Sequence, residues 1–272
     1  MSAISEPSGR PSSPYRAYLA ESKAPLTCFL FTLPLFAIYH AGLWWLSTFE
    51  GFSWANAADI AIANALGRLG MAGPLLSFLF VVIVFLAWQA MSRKAWRFPA
   101  ASTWFLMALE SIVFAFPVFL ASQAVAWVFQ LKLLSAPLSA GGSVGVPMYA
   151  NIVLGCGAGV YEEFLFRLLL LGILARFFGR FVGLKGGWLF AAASLTQAVL
   201  FAAFHHLPGG MEAVTTWKEA WGVLPVFGFR MVAGVYFAYL FLERGFGVAA
   251  GAHASYNVLI LGIDHILPPT GG

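Results

Sequence analysis

The sequence predicts an all-α, polytopic transmembrane helix bundle of about seven spans, and three observations predict it. Of 272 residues, 61% are hydrophobic and 10% charged, whereas ordinary globular domains carry about 25% charged residues. The apolar residues gather into stretches of the roughly 20 residues that a bilayer-crossing helix needs. Lys and Arg fall between those stretches, where they orient a membrane protein. The same composition excludes a water-soluble enzyme, a disordered chain and a collagen-like repeat, since Gly is only 28. A disulfide scaffold is excluded because Cys28 and Cys156 both lie in apolar runs. The net charge of +4 does not point to nucleic acid, because the basic residues are scattered rather than clustered with aromatics.

The stretches cover residues 26–48, 71–91, 102–130, 149–175, 187–207, 222–242 and 246–266. Residues 1–25, rich in Ser, Pro, Arg and Lys, are expected to form a polar, mobile tail. The first apolar run exceeds the roughly 7 to 15 residues of a signal-peptide core, so a retained anchor is expected. With a cytoplasmic N-terminus, Arg10, Arg16, Lys23, Arg93, Lys94, Arg97, Arg176, Arg180, Lys185 and Arg244 lie inside. Arg68, Lys132 and Lys218 lie outside. That bias sets the expected orientation in the cell membrane. The Ala-rich connection from Glu50 to Gly70 is expected to make a short interfacial helix. There is no internal repeat, so the chain reads as one membrane domain: the tail, spans without a recognised motif over 26–144, and a polar-bearing bundle over 145–266.

An ionisable residue within a span costs about 2.5 to 3.5 kcal/mol on insertion scales and normally faces a cavity or a partner. The informative positions are therefore Glu110, then Glu162, Glu163 and Arg167, His205 and His206, Arg230, and His253 with Asn257. On a helix, Glu163 and Arg167 are four apart and can pair, while Glu162 points about 100° away. The pair leaves Glu162 unmatched, a candidate general base or acid. The competing reading is that all three residues merely tie helices together. His253 and Asn257 share a face and can donate two hydrogen bonds to one point, or simply join helices. Gly155 and Gly159, and then Gly247, Gly251 and Ser255, supply small-xxx-small spacings that allow close helix approach.

Glu162-Glu163-x-x-x-Arg167, Phe201-x-x-x-His205 and His253-x-x-x-Asn257, in this order on successive spans, resemble the CAAX protease and bacteriocin-processing (CPBP/Abi) family of intramembrane proteases. The type II CAAX prenyl endopeptidase is related to it. The resemblance covers roughly residues 145–265. It implies that Glu162 is the catalytic carboxylate and that His205 helps polarise the attacking water. His253 and Asn257 would stabilise the oxyanion, with Glu163 and Arg167 in support. Peptide hydrolysis needs a base, oxyanion donors and a proton for the leaving amine, and these side chains can supply all three. The implied substrate is a membrane-associated or lipidated peptide or protein, met among membrane lipids.

Glu162, His205 and His253 would also match the three protein ligands of a catalytic zinc. The chain lacks the His-Glu-x-x-His helix of metalloproteases, so a glutamate-dependent hydrolase with no obligatory cofactor is expected, with zinc as the alternative. The rival class is a transporter or channel using the buried carboxylate and histidines as an ion or proton pathway. Against it, no broken helices match in two halves. A haem protein would need paired axial ligands, and His40, His205, His206, His253 and His265 give no clear set. With full-length spans, His205 and His253 would lie toward opposite faces of the bilayer. Either residues 245–251 form a non-helical or tilted segment, or the fifth span starts further toward the cytoplasm.

Overall fold

The computed structural model describes residues 13–52, 55–73, 75–129, 147–206 and 217–266, apart from the side chains of 217–221 and 262–266. The described residues form helices and connecting turns without a strand. The helices are α1 (Pro14–Ser22), α2 (Pro25–Phe49), α3 (Ala57–Gly67), α4 (Leu76–Ser92) and α5 (Ala101–Val128). Next comes a continuous rod, α6, which is α-helical over Met148–Gly157, π-helical over Ala158–Leu170, α-helical over Leu171–Phe177 and π-helical over Phe178–Val182. The remaining helices are α7 (Gly186–Phe204), α8 (Trp217–Arg244) and α9 (Phe246–Ile266).

Among the described residues, four helices are long and apolar enough to cross a bilayer: α2, α5, α7 and the Gly222–Arg244 portion of α8. The other three stretches counted from the sequence are different. Helix α4 has 17 residues, α6 carries two glutamates and an arginine in its middle, and the apolar described part of α9 is Phe246–Leu261. The outer faces of the long helices display large apolar side chains, among them Trp44, Trp45, Phe105, Leu120 and Leu195. A surface of this kind needs hydrocarbon around it, and helices satisfy their backbone groups internally there. The chain is an integral membrane helix bundle. Pro34, Pro117 and Pro225 lie inside α2, α5 and α8, which lipid-embedded helices tolerate.

Helix α9 is the axis of the bundle. Phe246, Val248, Ala249, Ala250 and Ala252 are fully buried, although α9 is built mainly from small residues. Helices α2, α5, α6 and α8 pack against it, and α5 contributes a buried stripe of Thr103, Met107, Ser111, Ala115, Val118 and Ser122, spaced three or four apart. The approach of α6 is closest at Gly159, where a Cβ would stand 2.7 Å from the Ala254 Cβ and 2.9 Å from the Ala250 carbonyl oxygen. Gly159→Val should therefore push α6 off α9 and destabilise by about 1 to 3 kcal/mol, the usual cost of overpacking. A melting temperature in detergent equal to that of the unsubstituted chain would count against this packing.

Two expectations need correction. Residues 14–22, assigned to a polar tail, fold as α1, with Pro14 in the first turn and the Ser13 hydroxyl accepting from the Arg16 N–H. The helix is held because Glu21 accepts from the Ala100 N–H and from the Thr103 hydroxyl, and because the Tyr18 hydroxyl donates to Glu110 at 3.0 Å. Second, residues 246–251 are helical: only Gly245, at φ 89°, leaves the helical region. A left-handed residue favours glycine, and this one reverses the chain against Lys23 and Cys28 so that α9 starts inside the bundle. The first twelve residues of the expected tail, the 144/145 boundary and Lys132 lie outside the described residues.

The connection after Glu50 does contain a helix, α3, capped by the Asn56 side chain on the Ala58 N–H. It packs on α4 and on the π-helical part of α6. Glu110, singled out as a charge within a span, is a structural tie. Arg244 holds it through Nε at 3.1 Å and through a second, shorter contact, and the guanidinium lies over the Tyr18 ring. One carboxylate thus joins α1, α5 and α8.

Candidate active site

The glutamate pair lies in the π-helical stretch of α6, where hydrogen bonds run from residue i to i+5. Such segments are rare and concentrate at functional sites. Glu162, Glu163 and Arg167 are all buried. The Arg167 Nη1 lies 3.2 Å from the Glu163 Oε1, so the four-residue pairing expected of an α-helix survives the wider winding. The guanidinium carbon also sits 4.3 Å from the centre of the Phe201 ring and 5.5 Å from that of Phe237. Stacked on two aromatic faces, the cation has electrostatic partners on α7 and α8 besides its carboxylate.

Glu163 holds more than Arg167. Its Oε1 is 2.8 Å from the His253 Nδ1, and the His253 ring is stacked on Phe237 at 4.7 Å between centroids. A carboxylate on Nδ1 fixes the ring's orientation and turns Nε2 to the opposite side. There, the His253 Nε2 faces the Glu162 Oε2 at 3.9 Å. His205, just past the end of α7, is held in the same manner by its own helix: its Nδ1 is 2.9 Å from the Phe201 carbonyl oxygen. The Phe-x-x-x-His spacing thus supplies the hydrogen bond that aims the imidazole. Its Nε2 lies 3.8 Å from that same Glu162 oxygen.

The structure therefore brings together Glu162, His205 and His253, with both Nε2 atoms directed at one carboxylate oxygen. The separations exceed a direct hydrogen bond and suit a bridging water. Glu163 and Arg167 form the layer behind. Asn257 makes its hydrogen bond elsewhere: Nδ2 donates to the Gly155 carbonyl at 3.0 Å, and Oδ1 is buried without a hydrogen-bond partner. His205 and His253 reach the same Glu162 oxygen without unwinding of residues 246–251.

Sequence reasoning missed Asn56. Its Nδ2 donates to the Glu162 Oε1 at 3.0 Å, and its Oδ1 accepts from the Ala58 N–H at 2.9 Å as the cap of α3. Its backbone N–H donates to the Tyr39 hydroxyl at 2.9 Å. The Tyr39 hydroxyl in turn donates to Asp59 at 2.7 Å, and the Ser77 hydroxyl donates to the other oxygen of Asp59. The cap was legible in Asn56 preceding an Ala-rich helix. The contact with a residue 106 positions away was not.

Glu162, His205 and His253 are the donors a catalytic zinc would take. Their facing atoms are 3.8 and 3.9 Å apart, wider than the roughly 3.3 to 3.4 Å between ligands placed about 2.0 to 2.1 Å from one tetrahedral zinc. Among the described residues no group of three His, Cys, Asp or Glu side chains is arranged to hold a metal.

A buried carboxylate faced by two oriented imidazoles inside a lipid-exposed helix bundle defines the class: a membrane protein with a buried polar centre. Residues 144–259 match the family described as type II CAAX prenyl endopeptidase Rce1-like, the family of membrane proteases that the three motifs resemble. The match takes in α6, α7, α8 and most of α9, and so contains all three motifs. No curated protein and no solved structure matches the chain.

Proposed function

We propose that this protein is an intramembrane endopeptidase that hydrolyses a peptide bond in a membrane-associated or lipidated substrate, with Glu162 as its general base. The observation that carries the reading is the convergence of the His205 Nε2 and His253 Nε2 on the Glu162 Oε2, at 3.8 and 3.9 Å. A water held among these atoms loses a proton to Glu162 as it attacks the substrate carbonyl, while His205, anchored on Phe201, orients it. With its Nδ1 engaged by Glu163, His253 donates to the developing oxyanion when Nε2 is protonated. Asn257 contributes through the amide N–H that Gly155 does not use. The leaving amine takes up the proton that Glu162 received. These steps need no metal. The site works in the cell membrane, with the N-terminus in the cytoplasm, as the distribution of Lys and Arg favours.

The direct test is cleavage of a farnesylated peptide ending in a CAAX motif by the purified full chain, beside the Glu162→Gln variant. Glu162-dependent cleavage supports the reading. If that peptide stays intact while membrane proteomes with and without active protein differ, the substrate is a different lipidated or membrane peptide. If neither assay shows Glu162-dependent cleavage, the proteolytic reading falls and the ion-pathway class takes its place. Treatment with EDTA or 1,10-phenanthroline is expected to leave turnover unchanged within about twofold. Loss of activity restored by zinc would assign Glu162, His205 and His253 to a metal instead.

A further inference from the structure

We infer that Asn56 is a positioning residue for the catalytic carboxylate, so that the N-terminal helices, outside the matched segment, complete the active site. This rests on the reading of Glu162 as the base. Glu162 has two oxygens, and the structure divides them: Oε2 faces the two imidazoles, while Oε1 accepts from the Asn56 Nδ2 at 3.0 Å. A carboxylate fixed through one oxygen keeps its other oxygen aimed at the reacting water, and misplacement by about 1 Å costs roughly a hundredfold in rate.

The amide is itself immobilised. Capping α3 requires an oxygen toward the Ala58 N–H, so the nitrogen of the Asn56 amide necessarily points at Glu162. The Asn56 backbone N–H is held by Tyr39, and Tyr39 by Asp59 at 2.7 Å, with Ser77 on the second Asp59 oxygen. Asn56 and Asp59 are nearly inaccessible, at 5% and 8% exposure, so water does not compete strongly for these bonds. A chain of hydrogen bonds thus runs from α4 through α3 and α2 to the base on α6. A cap needs only the Asn56 oxygen. The directed Nδ2–H toward a buried carboxylate is what points beyond a structural role.

The experiment separates capping from positioning. Ser and Asp are both good N-caps, so Asn56→Ser and Asn56→Asp both keep the cap of α3, while Asn56→Asp, which sets a second buried carboxylate beside Glu162, should melt lower. Asn56→Ser withdraws the donor from Glu162, and Asn56→Asp puts a carboxylate oxygen in its place. With the purified full chain and the farnesylated CAAX peptide, kcat should fall roughly tenfold to a hundredfold in Asn56→Ser and at least as far in Asn56→Asp, with KM within about twofold. Infrared difference spectra need no turnover. The carboxyl band identified by its loss in Glu162→Gln should shift in Asn56→Ser. Unchanged kcat in both variants, or an unmoved band, overturns the inference and leaves Asn56 a cap. If Glu162→Gln itself still cleaves, the reading of the base fails independently. If Glu162→Gln is dead while the Asn56 variants turn over normally, only the positioning role is lost.

Discussion

Glu162→Gln is expected to lower kcat by at least about a thousandfold, since an amide of the same shape cannot accept the proton from water and general-base catalysis alone contributes roughly 10² to 10⁴-fold. Asn56 and both imidazoles would keep partners of similar size, so the variant should insert and melt normally. His205→Ala and His253→Ala should each come close to the same loss, because each removes one of the two groups converging on the Glu162 Oε2. Their losses should not add, as groups that act as a unit fail together. Asn257→Ala should cost less, since its amide is already engaged with Gly155. Steady-state cleavage of the farnesylated peptide measures all four. Near-normal turnover by any of the first three would sink the proposed site.

Arg167→Ala is expected to have the largest effect on stability. The guanidinium is inaccessible to solvent, as is Glu163, and removing one partner of such a pair costs about 3 to 5 kcal/mol because the other charge is stranded. Its stacking on Phe201 and Phe237 goes too. Loss of folded protein in detergent, or a steep fall in melting temperature, is the expected result. Combining Arg167→Met with Glu163→Gln removes both charges and should recover much of the stability, since a neutral pair strands nothing. Activity should stay low in the double variant, because the change at Glu163 takes away the carboxylate that holds the His253 Nδ1. A single Arg167→Ala variant that melts like the unsubstituted chain would show that Glu163 is satisfied without it.

The parts of the site that were legible share a cause: they are encoded within one helix. The Glu163 and Arg167 pair was read from its four-residue spacing, and the Phe201-x-x-x-His205 motif has the same spacing, although the hydrogen bond from His205 to the Phe201 carbonyl was not foreseen. The convergence of His205 and His253 on Glu162 depends on how three helices are stacked in depth, which spacing does not carry. Three motifs in the right order implied it through resemblance instead. The role of Glu163 as the anchor of His253 was hidden behind its more obvious pairing with Arg167. Glu110 shows the converse: a charge in a span reads as functional until a distant cation, Arg244, is found beside it. The π-helical winding of Ala158–Leu170 has no local signature, since backbone hydrogen bonds from i to i+5 are selected by tertiary packing rather than by residue type. Helix α1 was missed because its fastening is to Glu110 and Thr103, remote in sequence.

The packing of α9 among α2, α5, α6 and α8 bears on how the protein is made. A segment with so many alanines and glycines, bearing His253 and Asn257, is a poor passenger for lipid by itself, and polar residues facing hydrocarbon are costly. It emerges from the ribosome after α2, α5 and α6, whose faces form the slot it fills. Helices made earlier should thus stand ready before α9 enters between them, and the proposed centre stays incomplete until His253 has arrived beside Glu162.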